Sequence, residues 1–436
     1  MSGSILVRGA RQLLTLHGPV GPRRGLALKE LGIIRDGALL IEDGRIVEVG
    51  PSRRVENLAQ SRKAHEVDAT GRVVMPGFVD CHTHLVCGAP WLQDYEARIA
   101  GLPNPTCGFD STIDAVRNVS ARGLEVRARH YVNGMIRHGT TTLEAKSGYG
   151  VDETGELKIL RVLGKLNRAP LDVVPTFLSP RVIPSLFQGD SAGYMSWICS
   201  ELMPKIQRRG LARFADLCCD EQVFNAEQTG RYLETARSLG FPLKIHTGQT
   251  HCDDAVRLAV ALEAVSVDHL DTAGRTDAEL LGRSPTMAVM LPGSDFHLGR
   301  DRYAPARDLI DAGAAVALAT NFNPSTSPTY SMPMILALAC VRLRMSPAEA
   351  ISAATINAAH AISCGHRVGS LETGKSGDLI VLNAADYREI PYHFGVNLVC
   401  LTVKRGVTIY EEGRVVSPDE GMRLLKNNND FARDNQ

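Results

Sequence analysis

Two histidines one residue apart, His82-Thr83-His84, close the run Pro76-Gly77-Phe78-Val79-Asp80-Cys81. Side chains alternate along a β-strand, so residues i and i+2 point to one face. If the run is a strand, both imidazoles leave that face about 6–7 Å apart along the chain. Two imidazoles so placed can grip one metal ion. The competing reading is a pair of histidines in a polar loop. Two further histidines, His246 and His269, also end short apolar runs. One histidine at a strand end is commonly a satisfied structural residue, whereas four at equivalent positions argue for a shared site. Neutral imidazole suits zinc, iron, manganese or nickel. A catalytic centre needs about three protein ligands and one open position.

Something must bring these four residues together, and the rhythm of the chain says what. Eight short apolar runs, at 77–84, 140–146, 171–178, 214–219, 243–246, 264–269, 287–291 and 314–321, read as strands. Amphipathic patterns at 111–138, 153–166, 226–239 and 253–262 read as helices between them. Eight strand–helix units are what a (β/α)8 TIM barrel requires, with a doubly wound open sheet as the competing fold. In a barrel, chemistry gathers at the C-terminal ends of the strands, where the four histidines fall. Both chain ends read instead as short strands. Residues 38–41 and 45–49 flank Asp43-Gly44, a strong hairpin signal. Strand character returns after residue 365. The expected architecture is a small β-sandwich built from both termini (1–75 and 366–420) around a barrel (76–365), with a polar tail at 421–436.

Composition narrows the partners. The 436 residues carry 48 acidic and 48 basic side chains, with 44% apolar, 22% charged and 5% aromatic residues. A formal net charge of zero gives no general attraction to nucleic acid or anionic membrane. The expected setting is cytoplasmic. There is no signal-like N-terminus and no apolar run of about 18 residues. The ten cysteines lack a CxxC or zinc-finger spacing, and free buried thiols are expected.

The motifs Pro76–His84, Lys146-Ser147-Gly148-Tyr149-Gly150, Asp268-His269-Leu270, Tyr303-Ala304-Pro305-Ala306-Arg307 and Ala317-Leu318-Ala319-Thr320-Asn321-Phe322-Asn323-Pro324 together resemble the amidohydrolase superfamily and, within it, the imidazolonepropionase family of histidine breakdown. The resemblance spans nearly the whole chain. It implies one divalent metal ion, zinc or iron, a homodimer, and a small cyclic amide substrate bearing a carboxylate. It implies metal ligands at His82, His84, His246 and residue 321, and substrate contacts at Tyr149, Asn323 and Thr326, where the family more often has serine at the last.

Several positions depart from the pattern the resemblance implies. The strand-eight aspartate, both ligand and base, is Asn321, whose amide offers Oδ1 but no charge and no useful basicity. A glutamate three residues beyond the strand-five histidine is Gln249. An arginine that grips the substrate acid is Trp91, and a strand-three histidine is Arg181, which could take over that acid through its planar fork. With Asn321 and Gln249 both neutral, His269 is the foremost proton carrier. Asp295 and His297 are secondary candidates, and Glu144 and Lys146 are expected to pair beneath the site. The expected activity is metal-dependent hydrolysis of a C–N bond in a five-membered cyclic amide, imidazolonepropionate or a ring-modified relative of N-methyl, hydantoin or thiohydantoin type. A non-hydrolytic enzyme (ring closure, elimination or isomerisation) and a non-catalytic small-molecule binder stay open.

Overall fold

The structure is a computed structural model, and it describes residues 3–102, 107–167, 170–179, 182–219, 224, 226–247 and 254–416. Eight strands form one sheet in sequence order: β1 (Phe78–Asp80), β2 (Thr140–Lys146), β3 (Asp172–Leu178), β4 (Phe214–Cys218), β5 (Leu243–His246), β6 (Ser266–Asp268), β7 (Met287–Met290) and β8 (Val316–Leu318). The pairings from β3 through β8 are parallel. Beyond the last strand the ring closes: Thr83 and Phe322 form a parallel bridge, and the His84 amide donates to the Phe322 carbonyl at 2.8 Å. This is the (β/α)8 TIM barrel expected from the sequence, not an open sheet.

Two details differ from the sequence reading. Several strands end earlier than the apolar runs suggest. The histidine pair lies just past β1 and is tied to the barrel by the Thr83 bridge, and His269 lies one residue past β6. The long helical pattern at 111–138 is two helices, Cys107–Asn118 and Ala121–Arg137. Ser120 divides them, its hydroxyl accepting from the Gly123 amide at 3.1 Å as an N-cap does.

The chain divides into two compact units, one of residues 1–80, 133–142 and 331–436, the other of residues 81–132 and 143–330. In the first, a four-stranded sheet runs Arg45–Pro51, Gly37–Glu42, Ile5–Ala10, His65–Asp68. A seven-stranded sheet mixes both ends of the chain, with Leu379–Leu382 antiparallel to Val73–Pro76. Inward residues of both sheets, among them Ile5, Val7, Ile41, Val74, Val381 and Val403, share one buried core. The Asp43-Gly44 hairpin is present, with φ of 49° and 77° at its two turn residues. That left-handed pair is what a two-residue hairpin turn needs.

Among the described residues no helix is long and apolar enough to cross a membrane. Among the described residues seven cysteines stand outside any disulfide, but Cys219 is disulfide-bonded, which corrects the expectation of free thiols. Spacing along the chain does not say which thiols the fold brings together. The tail at 421–436 lies outside the described residues.

Candidate metal centre

Period-two alternation turns a polar residue inward at intervals along the barrel strands. β2 contributes Glu144 and Lys146, β4 Asp216, β5 Lys244 and His246, and β6 Ser266 and Asp268, every one of them buried. These charges are paired. Lys146 Nζ lies 2.7 Å from Asp216, 3.0 Å from Glu144 and 3.5 Å from Asp268, and Lys244 Nζ lies 2.7 Å from Glu144. Three carboxylates against two ammonium groups leave one negative charge in excess within the cluster. Burial by itself would lower the Lys146 pKa, but Asp216, Glu144 and Asp268 outweigh it and hold the ammonium charged. Burial would raise both aspartates. His246 and Lys146 instead bring Asp216 down to about 2, and Lys244 and Lys146 hold Asp268 well below the usual carboxylate range.

Two of these carboxylates orient histidines. His82 Nδ1–H donates to Asp268 Oδ2 at 2.7 Å, and His246 Nδ1–H donates to Asp216 Oδ1 at 3.0 Å. Burial, reinforced by Lys146, pushes the His82 pKa well below its ordinary value, so the ring is neutral. A neutral ring with its proton fixed on Nδ1 keeps the Nε2 lone pair. Both Nε2 atoms are buried and have no hydrogen-bond partner among the described residues. Buried polar atoms rarely stay unpartnered unless something absent from the protein chain satisfies them. One ligand atom each of His82, His84 and His246 lies within 4.8 Å of the others. A metal-binding histidine normally donates its other nitrogen to a carboxylate, which is the arrangement here. The residues therefore fit a metal ion.

Asn321 lies three residues past β8 and His269 one residue past β6. Asn321 Nδ2 donates to Ser294 Oγ at 2.8 Å, while its Oδ1 is buried without a partner among the described residues. Its φ of 50° lies in the left-handed region that asparagine tolerates better than most residues. The His269 ring centroid lies 5.7 Å from that of His82 and 5.5 Å from that of His246.

Tyr149 lies 5.8 Å from His84 and 5.7 Å from Phe109, ring to ring. Its loop is held by Glu156, which accepts from the amides of Gly148, Gly150 and Val151. Trp91 donates from Nε1 to Thr112 Oγ1 at 2.9 Å and packs edge-on against Phe109. Asn323 directs its hydrogen bonds into its own loop, Nδ2 to the Asn321 carbonyl at 2.6 Å and Oδ1 from the Thr326 amide at 2.7 Å. Thr326 is thus part of the turn that presents residue 321. His297 stacks on Tyr95 at 5.1 Å, and Asp295 shares Arg300 with Asp271. Gln249 and Arg181 lie outside the described residues. Glu144 and Lys146 pair beneath the histidines as expected. Asp216, Lys244 and Ser294 were not singled out by the sequence, and Asp268 was noted only for its neighbour His269. The alternation Phe214-Ala215-Asp216 and Lys244-Ile245-His246 was the available signal for two of them.

Residues 222–413 match the family model described as the amidohydrolase family. The chain is 42% identical over 402 residues to an imidazolonepropionase of Solibacter usitatus, covering 91% of this chain and 96% of that one. It is 39% identical over 420 residues to an imidazolonepropionase of Chloroflexus aggregans, covering 93% and 98%. Among solved structures, a triazine hydrolase variant superposes with a TM-score of 0.75 at 18% identity, covering 98% of this chain and 99% of that one. A zinc-bound adenosine deaminase of Xanthomonas campestris gives a TM-score of 0.65 at 17% identity, covering 99% and 98%. At such identities the structural likeness speaks for the fold alone.

Proposed function

The chain belongs to the imidazolonepropionase family of the amidohydrolases, and from that premise we propose that it is a metal-dependent hydrolase opening a C–N bond of a five-membered cyclic amide, imidazolonepropionate or a ring-modified relative. The observation that carries the metal is the pair of buried, unpartnered Nε2 atoms on His82 and His246, each backed by a carboxylate on Nδ1. A divalent ion, zinc or iron, held by His82, His84, His246 and Asn321, would supply Lewis acidity at the scissile carbonyl and acidify water.

The remaining work falls to the chain's own side chains. His269, beside the two ligand rings, would take and return the proton that Asn321 cannot. Tyr149, next to His84, would bound the ring pocket. Trp91 supplies an apolar face where the family pattern has an arginine. Arg181 would then receive the substrate carboxylate, and Gln249 would hydrogen-bond the ring without moving protons. The loss of both an acid-binding arginine at 91 and a carboxylate at 321 is what favours a ring-modified substrate over imidazolonepropionate itself. The same neutrality of Asn321 keeps a non-hydrolytic ring reaction as the second reading. We further propose a homodimer acting in the cytoplasm.

The test is turnover of imidazolone, hydantoin, thiohydantoin and N-methylated ring propionates in ¹⁸O-labelled water, with His82→Ala as control. Hydrolysis places label in the product, and H82A abolishes it. Turnover without label would overturn hydrolysis, and efficient use of plain imidazolonepropionate would overturn the modified-ring preference. No turnover of any substrate with any metal, in wild type or Asn321→Asp, would leave a binder.

A further inference from the structure

Resting on the reading of Tyr149 as a wall of the substrate pocket, we infer that Glu156 is the positioning residue for that wall. One buried carboxylate gathers the strained loop after β2 and sets the Tyr149 ring beside His84. Glu156 acts on substrate binding only through Tyr149.

The loop runs Ser147-Gly148-Tyr149-Gly150-Val151-Asp152 into the helix Glu153–Leu166. Asp152 caps that helix, its side chain accepting from the Gly155 amide at 2.8 Å. Glu156 follows in the first turn, and its carboxylate turns back to the loop. It accepts from the amides of Gly148 at 3.1 Å, Gly150 at 2.6 Å and Val151 at 3.2 Å. The first two amides flank Tyr149, so the backbone on both sides of that ring is tied to one side chain. Glu156 is fully buried. Burial pushes its carboxyl up to about 7, and hydrogen bonds from Ser147 and the three amides work against that rise. A carboxylate suits this seat because both oxygens accept and neither presents a hydrogen to the amides.

The shape that Glu156 imposes is a strained one. Val151 has a φ of 62°, a left-handed conformation that is an outlier for a β-branched residue. A Cβ on Gly150 would lie 2.1 Å from the Glu156 amide nitrogen, so the loop is pressed onto the first turn of the helix. Such backbone persists only where its surroundings over-determine it, and it gathers at ligand clamps. At Val151 the amide is held by Glu156, and the carbonyl accepts from the hydroxyl of buried Tyr194 at 2.6 Å. What the loop carries is Tyr149. Its ring lies 5.8 Å from His84 and 5.7 Å from Phe109, and Phe109 lies 6.2 Å from Trp91. The four rings form a row from Trp91 to His84, with Tyr149 as the link beside the histidine. Released from Glu156, the loop would relax its strain and break the row at that link.

Glu156→Gln keeps the size of the side chain but turns an amide NH2 against the loop. Two readouts on the full chain test the inference. The first is fluorine NMR of protein labelled with fluorotyrosine, the Tyr149 signal being identified by its loss in Tyr149→Phe. In E156Q that signal should move toward the position of free fluorotyrosine, and an unmoved signal would overturn the inference. The second is a cycle of E156Q with Tyr149→Ala, measured on the ring propionate that wild type turns over best. Each single change should raise KM about tenfold with kcat held within about threefold, as when binding shared by ground and transition states is lost. The double variant should match Y149A within about twofold, because nothing is left for Glu156 to position. Effects that multiply in the double variant would overturn the inference and mark Glu156 as merely structural, as would an unchanged KM in E156Q. An unchanged KM in Y149A would instead overturn the reading of Tyr149 as a pocket wall, and so would a wild type that turns over no ring propionate. In both cases the fluorine signal still decides whether Glu156 places the ring. Melting curves check that E156Q folds. Should it not, Gly150→Ala carries both readouts with the same expected results, since its added Cβ lifts the loop from the helix and leaves the carboxylate in place.

Discussion

Asp216 shows how much a single buried carboxylate is asked to do. It orients His246 through Nδ1 and neutralises Lys146, both at hydrogen-bonding distance. Asp216→Asn keeps the shape and removes the charge. Two effects are expected together. Zinc affinity should fall about 10–100-fold, because the amide can no longer fix the ring's tautomer as a carboxylate does. Stability should fall by about 3 kcal/mol, the low end for breaking a buried pair, since Glu144 and Asp268 still face Lys146. Chelator competition and urea unfolding read the two separately, and an affinity within twofold of wild type would show that Asp216 does not orient the ligand. The sequence made the histidines conspicuous because each closes an apolar run. Asp216 was hidden inside one, Phe214-Ala215-Asp216-Leu217-Cys218, where a lone acid among apolar neighbours looks like a strand edge. Only the closed barrel makes that position an interior one. Ser294 was harder still, since it lies on the short helix Pro292–His297 and meets Asn321 only in the folded chain.

The segments that follow β6 and β7 meet in a second polar contact. Asp271 and Asp295 are both buried, and Arg300 Nη1 lies 3.1 Å from the first and 3.6 Å from the second. Burial raises both carboxyls. Asp271, partly offset by Arg300, reaches about 6, and Asp295, further raised by the charge of Asp271, reaches about 8. The pair therefore holds a proton across neutral pH. An unfolded aspartate releases its proton near pH 3.9, roughly. Between about pH 4 and 8 the folded chain binds more protons at this pair than the unfolded chain, so stability from this source falls as pH rises. Asp295→Asn replaces the acid with an amide donor that does not titrate. The melting temperature of D295N relative to wild type should rise steadily from pH 5 to pH 8, and a constant offset across that range would refute the shared proton. Arg302, the other charged group acting on Asp271, is present in both proteins and cancels in the comparison. At this scale the sequence placed all eight strands, because each is a short apolar run bounded by turn residues. It overran their ends, because loop residues such as His269 and Asn321 continue an apolar pattern after the ladder has stopped. Positive φ at both positions is a property of the backbone that residue type only hints at.

For the molecule as a whole, the barrel was legible from repetition and the sandwich from the strand character of the two termini, with the Asp43-Gly44 turn as its clearest local mark. The mixing of strands from both ends in one sheet was an economical guess, since no local signal says that Leu379–Leu382 lies beside Val73–Pro76. Beyond the Glu144–Lys146 pair, the sequence did not convey how far the barrel's interior is charged, and this bears on how the protein holds together. His82, His246 and Asn321 each bury a polar atom that finds no partner among the described residues. Each such atom disfavours the folded state by about 1–3 kcal/mol while it stays unsatisfied. An ion that satisfies them binds the folded chain and has no preformed site on the unfolded one. Stability must then rise with free metal, by about 2.7 kcal/mol when its concentration is a hundred times the dissociation constant. Zinc added to metal-free protein should therefore raise the melting temperature progressively with concentration, and a chelator should reverse the rise. His246→Ala removes one ligand and leaves Asp216 paired to Lys146, so this variant should fold yet lose most of the response. A zinc-dependent shift that persists undiminished in H246A would place the stabilising ion elsewhere on the chain. No shift in wild type at any zinc concentration would mean that the unpartnered nitrogens answer to something other than a metal.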